Sequence, residues 1–346
     1  MTHTPWTIAL ALVATLGFMT TSAAALGPEF QVNTYTSGDQ YQPAVAMDPS
    51  GSGFVVAWTG DGLGYAHNGV FAQRLDSSGM KLGTEFRLSG FTANVQFQPS
   101  IAFRSAGEFV VVWTSDGQDG SGTTVMGRLF DSTGMSQGSE FRVNTYTTGG
   151  QQRASVASNA AGDFVVVWEG DLEDGSYRGV FGQRFDSAGA TVGGEFQVNT
   201  YTTGYQYFPA IGGDGTGAFV VTWTSVGQDG DQGGVFAQRL DSDGSPAGSE
   251  FRVSTNTAGR QATASVAPDG SGGFVVAWMD AYQDGDYAGV FAQRFDSDGD
   301  PVGTEFQVNT YTTSFQSRPA VAQNGAGFVV AWSSYGQDGE YAGVFG

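Results

Sequence analysis

The segment FVVVWEGDLEDGSYRGVFGQRFDSAG, residues 164–189, decides the fold. It opens on Phe164 to Trp168, apolar at every position, so a strand here has both faces buried instead of one. An Asp- and Gly-rich loop leads into a second strand signal, Val180 to Phe185. Asp186-Ser187-Ala188-Gly189 then supplies a turn whose aspartate can cap its own backbone and whose glycine accepts a positive φ. A strand that needs cover on two faces implies a sheet packed between two other sheets.

Working outward, the segment recurs. Trp58, Trp113, Trp168, Trp223, Trp278 and Trp332 lie 55, 55, 55, 55 and 54 residues apart, and a Glu-Phe pair opens at Glu29, Glu85, Glu140, Glu195, Glu250 and Glu305. Each unit carries four strand signals, which in the first copy are Pro43 to Met47 (strand A), Phe54 to Trp58 (B), Val70 to Leu75 (C) and Glu85 to Leu88 (D). Of the 26 phenylalanines, 20 fall at four repeated positions, so they form one periodic aromatic core. Four strands in about 55 residues match one β-propeller blade, and six copies fall within the usual four to eight. A β-helix rung is shorter, and an immunoglobulin-like sandwich needs about 100 residues. The reading is an all-β, six-bladed β-propeller of four-stranded repeats spanning residues 26–346. Phe30 to Asn33 is placed to complete the last blade, whose strand C ends at Val344-Phe345-Gly346.

Residues 1–25 differ from the rest. Ile8 to Met19 is apolar and Ser22-Ala23-Ala24-Ala25 offers small residues for cleavage, so the stretch reads as a secretory signal, although Met1 to Trp6 contains no Lys or Arg. No later segment approaches the roughly 20 apolar residues that span a bilayer, so no membrane insertion is expected after cleavage. The expected location is secreted or at the cell surface, with the periplasm as a further compartment. The chain has no cysteine and a net charge of −20 from 14 Lys+Arg and 34 Asp+Glu. Disulfides are therefore excluded, and nucleic acid is a poor partner for so acidic a surface.

The repeated Glu-Phe-x-Val-Asn-Thr-Tyr-Thr, Phe-Val-Val-x-Trp and Gln-Asp-Gly-x-x-x-Gly-Val-Phe-x-Gln-Arg-Phe-Asp resemble repeats of large exported bacterial surface proteins, often found beside hemolysin-type calcium-binding regions. The resemblance covers nearly the whole chain after residue 25. It implies secretion and an extracellular binding or structural role, and it carries no defined activity. The Gly-Gly-x-Gly-x-Asp calcium nonapeptide is absent.

Nucleophilic catalysis finds little support, since the only histidines are His3 and His67. The Asp-Ser-x-Gly turns faintly resemble a sialidase Asp-box but lack its following aromatic, and no arginine cluster is evident. Asp119, Asp174, Asp229, Asp231, Asp284, Asp286 and Asp338, with Asp61 and Glu340, lie on Gly-rich loops between strands B and C. Hard oxygen ligands on such loops suit Ca2+. The same residues are what a plain Asp-Gly turn requires, and both readings stand. Asp296, Asp298 and Asp300 alternate like the start of a calcium loop, but Gly299 comes too early for one. Arg74, Arg128, Arg184, Arg239 and Arg294, with the repeated glutamates, suggest a ring of ion pairs between blades. Tyr35, Tyr146, Tyr201 and Tyr311 stand beside Asn33, Asn144, Asn199 and Asn309, and aromatic faces with amides suit a sugar-binding surface.

Because the polar groups recur from blade to blade, the sequence points to a protein that is not an enzyme. The expected function is a non-catalytic extracellular binding or scaffold module, adhesive and calcium-supported. Its partner is an extracellular polymer, a glycan or a surface protein. A lectin-like, multivalent glycan-binding propeller is the alternative, and a glycan-active hydrolase a distant third.

Overall fold

The computed structural model describes residues 29–61, 68–105, 107–214, 217–324, 327–339 and 341–346. The signal stretch, His3, His67 and Glu340 lie outside the described residues. The chain is a six-bladed β-propeller, with six antiparallel sheets following one another in sequence order and no helix among the described residues. The third blade is typical. Gln151–Ser158 is its strand A, Phe164–Asp171 its B, Arg178–Phe185 its C and Thr191–Gln197 its D. Five blades have four strands, and the sixth has three, Gln316–Gln323, Phe328–Tyr335 and Ala342–Phe345.

Successive blades meet through their A strands, which are therefore innermost. Alternation along strand B fills the space between blades. Phe164, Val166 and Trp168 pack against Val110, Val112 and Val125 of the second blade. Val165 and Val167 pack against Ile211, Phe219 and Trp223 of the fourth. This is the two-sided burial that an uninterrupted apolar strand demands. The four central tryptophans, Trp113, Trp168, Trp223 and Trp278, are fully buried.

The seam between the last and first blades differs from the other junctions. Val329 is exposed, whereas Val55, Val110 and Val165 at the same repeat position are buried. Residues 29–33 occupy the place of a strand D ahead of the first blade. Phe30 sits beside Gly79 as Phe86 sits beside Gly134, and Glu85 accepts the Thr34 N–H at 2.6 Å as Glu195 accepts that of Thr145. They form no strand, and Ala342–Phe345 pairs with Phe328–Tyr335 alone.

The expected ring of Arg-Glu ion pairs does not form. Arg74 pairs across the sheet with Leu82, three residues short of Glu85, and its guanidinium reaches the Thr133 carbonyl of the next blade at 2.8 Å. Arg184 and Arg239 reach the Asp243 and Asp298 carbonyls in the same way. The glutamates point to the other end of the blade. There Glu140 accepts from Gln118 at 3.1 Å and Glu305 from Gln283 at 2.7 Å.

Every strand A carries a bulge near its start. Gln42, Gln98, Arg153, Phe208, Thr263 and Arg318 all have φ between 53° and 56°, the left-handed region that non-glycine residues avoid. The flanking ladders shift register there. A bulge re-aims a side chain, and this one does so at the inner edge of each blade. The loop between B and C of one blade meets the segment between D and A of the next, as in the bridge between Arg178 and Tyr205. Both sets of loops therefore share one face, with the bulges at its inner margin.

Candidate functional site

Where the repeat is obeyed, the polar side chains of this face close turns. Tyr35, Tyr146, Tyr201 and Tyr311 are half-buried. Their carbonyls accept the side-chain amides of Asn33, Asn144, Asn199 and Asn309 at 2.7 to 2.9 Å, which closes the turn into strand A. The loop aspartates are likewise engaged with backbone. Asp119, Asp174, Asp229 and Asp284 each accept the N–H two residues on. Asp231 and Asp286 accept the N–H of Gly259 and Ser314 from the neighbouring blade, both at 2.8 Å. Asp338 packs against Gly343. Asp296 accepts the N–H groups of Asp298 and Asp300 at 2.9 Å. Among the described residues no three or more His, Asp or Glu side chains are grouped closely enough to hold a metal.

Where the repeat is broken, a different cluster appears. The residue after the strand B tryptophan is Thr59, Thr114 and Thr224 in three blades, but Glu169 in the third. Glu169 is 0% exposed. Its Oε1 takes ion pairs from Arg153 and Arg178, each at 2.7 Å, and a hydrogen bond from Gln152 at 2.9 Å. Its Oε2 accepts the Phe208 N–H of the fourth blade at 3.0 Å. A buried carboxylate needs such full pairing to be tolerated. Arg153 is the bulge residue of its blade, and its guanidinium lies 4.5 Å from the centre of the Phe208 ring, itself a bulge residue. Arg178 also donates to Asp171 at 2.7 Å. Burial opposes its charge, but Glu169 and Asp171 outweigh burial and raise its pKa.

Glu173 is the second break. Its counterparts Gln118, Gln228 and Gln283 donate an amide N–H to the strand D glutamates Glu140, Glu250 and Glu305. In the third blade two carboxyl groups, Glu173 and Glu195, face each other instead, and the contact survives only if one carries a proton. Burial first, then the hydrogen bond and charge of Glu195, push Glu173 up to about 9. Glu173 Oε2 is buried without a hydrogen-bond partner, 2.8 Å from where a Cβ on Gly170 would lie. Tyr177, next to Arg178 in the chain, and Tyr205, bridged to Arg178 through the backbone, stack at 4.9 Å and are 62% and 44% exposed.

A third break lies in the fifth blade. Asp280 occupies a position held by glycine or serine elsewhere and is buried among Asn256, at 3.1 Å, and Gln261, at 3.4 Å. Burial dominates and raises its pKa to about 7.

Of the aspartates singled out by spacing, only Asp174 adjoins the third-blade cluster. Recurrence across the blades does not point to Glu169, Glu173, Arg153, Arg178, Tyr177, Tyr205 or Asp280, and Asp171 looks like one more loop aspartate beside Asp61 and Asp116. Laying the repeats over one another and reading the mismatches finds Glu169, Glu173 and Asp280 without coordinates. The cluster brings together a carboxyl group that keeps its proton at neutral pH, a carboxylate paired with arginine, and exposed aromatic faces. That set can donate a proton, stabilise or accept a cationic centre and hold a ring.

No family model and no curated protein matches this chain. Among solved structures, a protein of unknown function from Dyadobacter fermentans superposes with a TM-score of 0.61 at 10% identity, over 90% of this chain and 95% of its own. An α-L-arabinanase from Penicillium chrysogenum, complexed with arabinobiose, gives 0.59 at 12%, over 88% and 92%. The NanB sialidase from Streptococcus pneumoniae gives 0.57 at 7%, over 87% of this chain and 66% of its own. At these identities the likeness is one of fold. The expectation of a protein that is not an enzyme, a binding or scaffold module or a lectin-like propeller, does not stand. Propellers that superpose on this chain include glycoside hydrolases, and the premise behind that expectation fails at Glu169, Glu173 and Asp280, whose chemistry no other blade copies.

Proposed function

We propose that the chain is a glycan-active hydrolase of the extracellular space, with its active site at the loop end of the third blade. The observation that carries this reading is the Glu173–Glu195 carboxyl pair beside the Asp171–Arg178–Glu169 network. Glycoside hydrolysis needs one carboxyl group that is protonated at working pH and one that is ionised. Glu173 fills the first requirement, because its partner Glu195 cannot accept a hydrogen bond from it unless it holds a proton. Asp171, ion-paired with Arg178 at 2.7 Å, is the second carboxyl group and takes the role of general base or nucleophile. Glu169 is saturated by four donors and acts as a positioning residue that fixes both arginines. Tyr177 and Tyr205 offer aromatic faces to the C–H face of a sugar ring. The fold-level likeness to an arabinanase and to a sialidase supports this chemistry by analogy.

Incubation of the exported chain with α-arabinan, xylan, β-glucan and α-sialosides, with reducing ends or free sialic acid measured, tests the proposal. The expected result is release from at least one substrate, reduced about 100-fold or more by Asp171→Asn and by Glu173→Gln while both variants stay folded, as removing a general acid or base requires. Equal rates in wild type and variants would reject the assignment.

A further inference from the structure

We infer that Tyr287 and Phe315 form a second carbohydrate platform, two blades from the proposed catalytic cluster, that holds a neutral polysaccharide. Tyr287 stands in the B–C loop of the fifth blade and Phe315 in the segment leading to strand A of the sixth. Their rings lie 5.0 Å apart, and they are 51% and 52% exposed. They occupy the repeat positions of Tyr177 and Tyr205, each 110 residues later. The fold does not ask for rings there. Gly122 and Gly150 hold the same positions between the second and third blades, and Gln232 and Arg260 between the fourth and fifth. Two large apolar faces left in water where glycine serves equally well call for a ligand.

The platform is built before any ligand arrives. Ala288 and Phe315 are joined by a backbone bridge, and Asp286 accepts the Ser314 N–H at 2.8 Å, so both rings stand on loops tied to each other. Tyr282, 67% exposed, stands in the same loop. The surroundings choose the class of sugar. Asp284, Asp286 and the Gln283–Glu305 pair place carboxylates on the same loops, and the chain carries −20 overall, so an anionic glycan is repelled. A neutral sugar ring can stack on the aromatic faces and donate hydroxyls to those carboxylates. A protein partner fits less well, because two rings are a small part of the roughly 1,200 Å² that a stable protein interface buries. Both aromatic pairs lie on the loop face, so a chain long enough to span two blades engages them together and gains affinity without new contacts.

The inference rests on the proposed function only for what happens to the polymer at the third blade, and binding is measured apart from turnover. In affinity gel electrophoresis through debranched arabinan, mixed-linkage β-glucan, xylan or mannan, wild type is expected to be retarded by at least one. Polysialic acid should not retard it. Tyr287→Ala with Phe315→Ala should lose about tenfold or more in apparent affinity for that polymer, the scale of losing one stacked ring pair. Both side chains are exposed, so the thermal midpoint should not change, and hydrolysis of a small aryl glycoside should keep its wild-type rate. Three results would overturn the inference: wild type passing unretarded through all four neutral polymers, retardation by polysialic acid that the double variant loses, or unchanged affinity in the double variant. A protein that binds a neutral polymer through these rings but hydrolyses nothing would reject the proposed function and leave the platform standing.

Discussion

Replacing Glu173 with glutamine is expected to stabilise the protein by about 2 kcal/mol near neutral pH, even though it removes a proposed catalytic group. The reason is linkage between proton binding and folding. Below the ordinary value of 4.5 both folded and unfolded chains hold the Glu173 proton, and its contribution is fully present. Between 4.5 and about 9 the unfolded chain releases that proton while the folded chain keeps it, so stability falls with rising pH until Glu173 itself ionises. Each pH unit in that window costs at most about 1.4 kcal/mol, and partial solvent access reduces the sum. Glutamine restores the amide donor that Gln283 supplies to Glu305 at 2.7 Å. Denaturant unfolding of wild type and Glu173→Gln at pH 5, 7 and 9 measures it. The gap should widen with pH. A constant gap, or a destabilised variant, would contradict a shared proton.

Glu169→Ala should have the opposite effect, a loss of about 3 to 5 kcal/mol. It strands the guanidinium groups of Arg153 and Arg178, the amide of Gln152 and the Phe208 N–H, all of which now converge on one buried carboxylate. Removing one member of a buried ionic network costs more than the network contributes, because the remaining charges stay desolvated. The companion variant joins Glu169→Thr to Arg153→Gln. It recreates the Thr114 and Gln98 pairing of the second blade, including a threonine hydroxyl for the N–H of the next bulge residue, which Thr114 provides for Arg153 at 3.2 Å. That double variant should regain most of the loss in chemical denaturation. Glu169→Ala unfolding like wild type would show that the cluster is loosely held and poorly suited to positioning.

The propeller was legible in the sequence because its determinants are local and periodic. The apolar run of Phe164 to Trp168 states two-sided burial by itself, and the tryptophan spacing counts the blades. The bulge was not legible. Glutamine, arginine, phenylalanine and threonine share a left-handed backbone at that position, so no residue type marks it. The arginine and glutamate ring was misread because strand position does not reveal which end of a blade a side chain turns toward. The third-blade cluster was not legible for a deeper reason. Recurrence identifies what every blade needs in order to fold, and Tyr146, Asn144 and Asp229 proved to be turn residues of that kind. A proposed reaction that takes place once in the ring would reside in the departures, such as glutamate for threonine at 169 and for glutamine at 173. Natural sequences break their own local rules chiefly where function demands it.

The measurement that bears most directly on the central claim compares Glu173→Gln with wild type on two glycosides of the same sugar, one with a poor alkyl leaving group and one with a 2,4-dinitrophenyl group. A general acid matters only when the leaving oxygen must be protonated. The account predicts a loss of about 1,000-fold on the alkyl glycoside and less than about tenfold on the dinitrophenyl glycoside, with the alkaline limb of the wild-type rate near the value of about 9 at which Glu173 ionises. Equal losses on both substrates, or an alkaline limb that persists in Glu173→Gln, would contradict it.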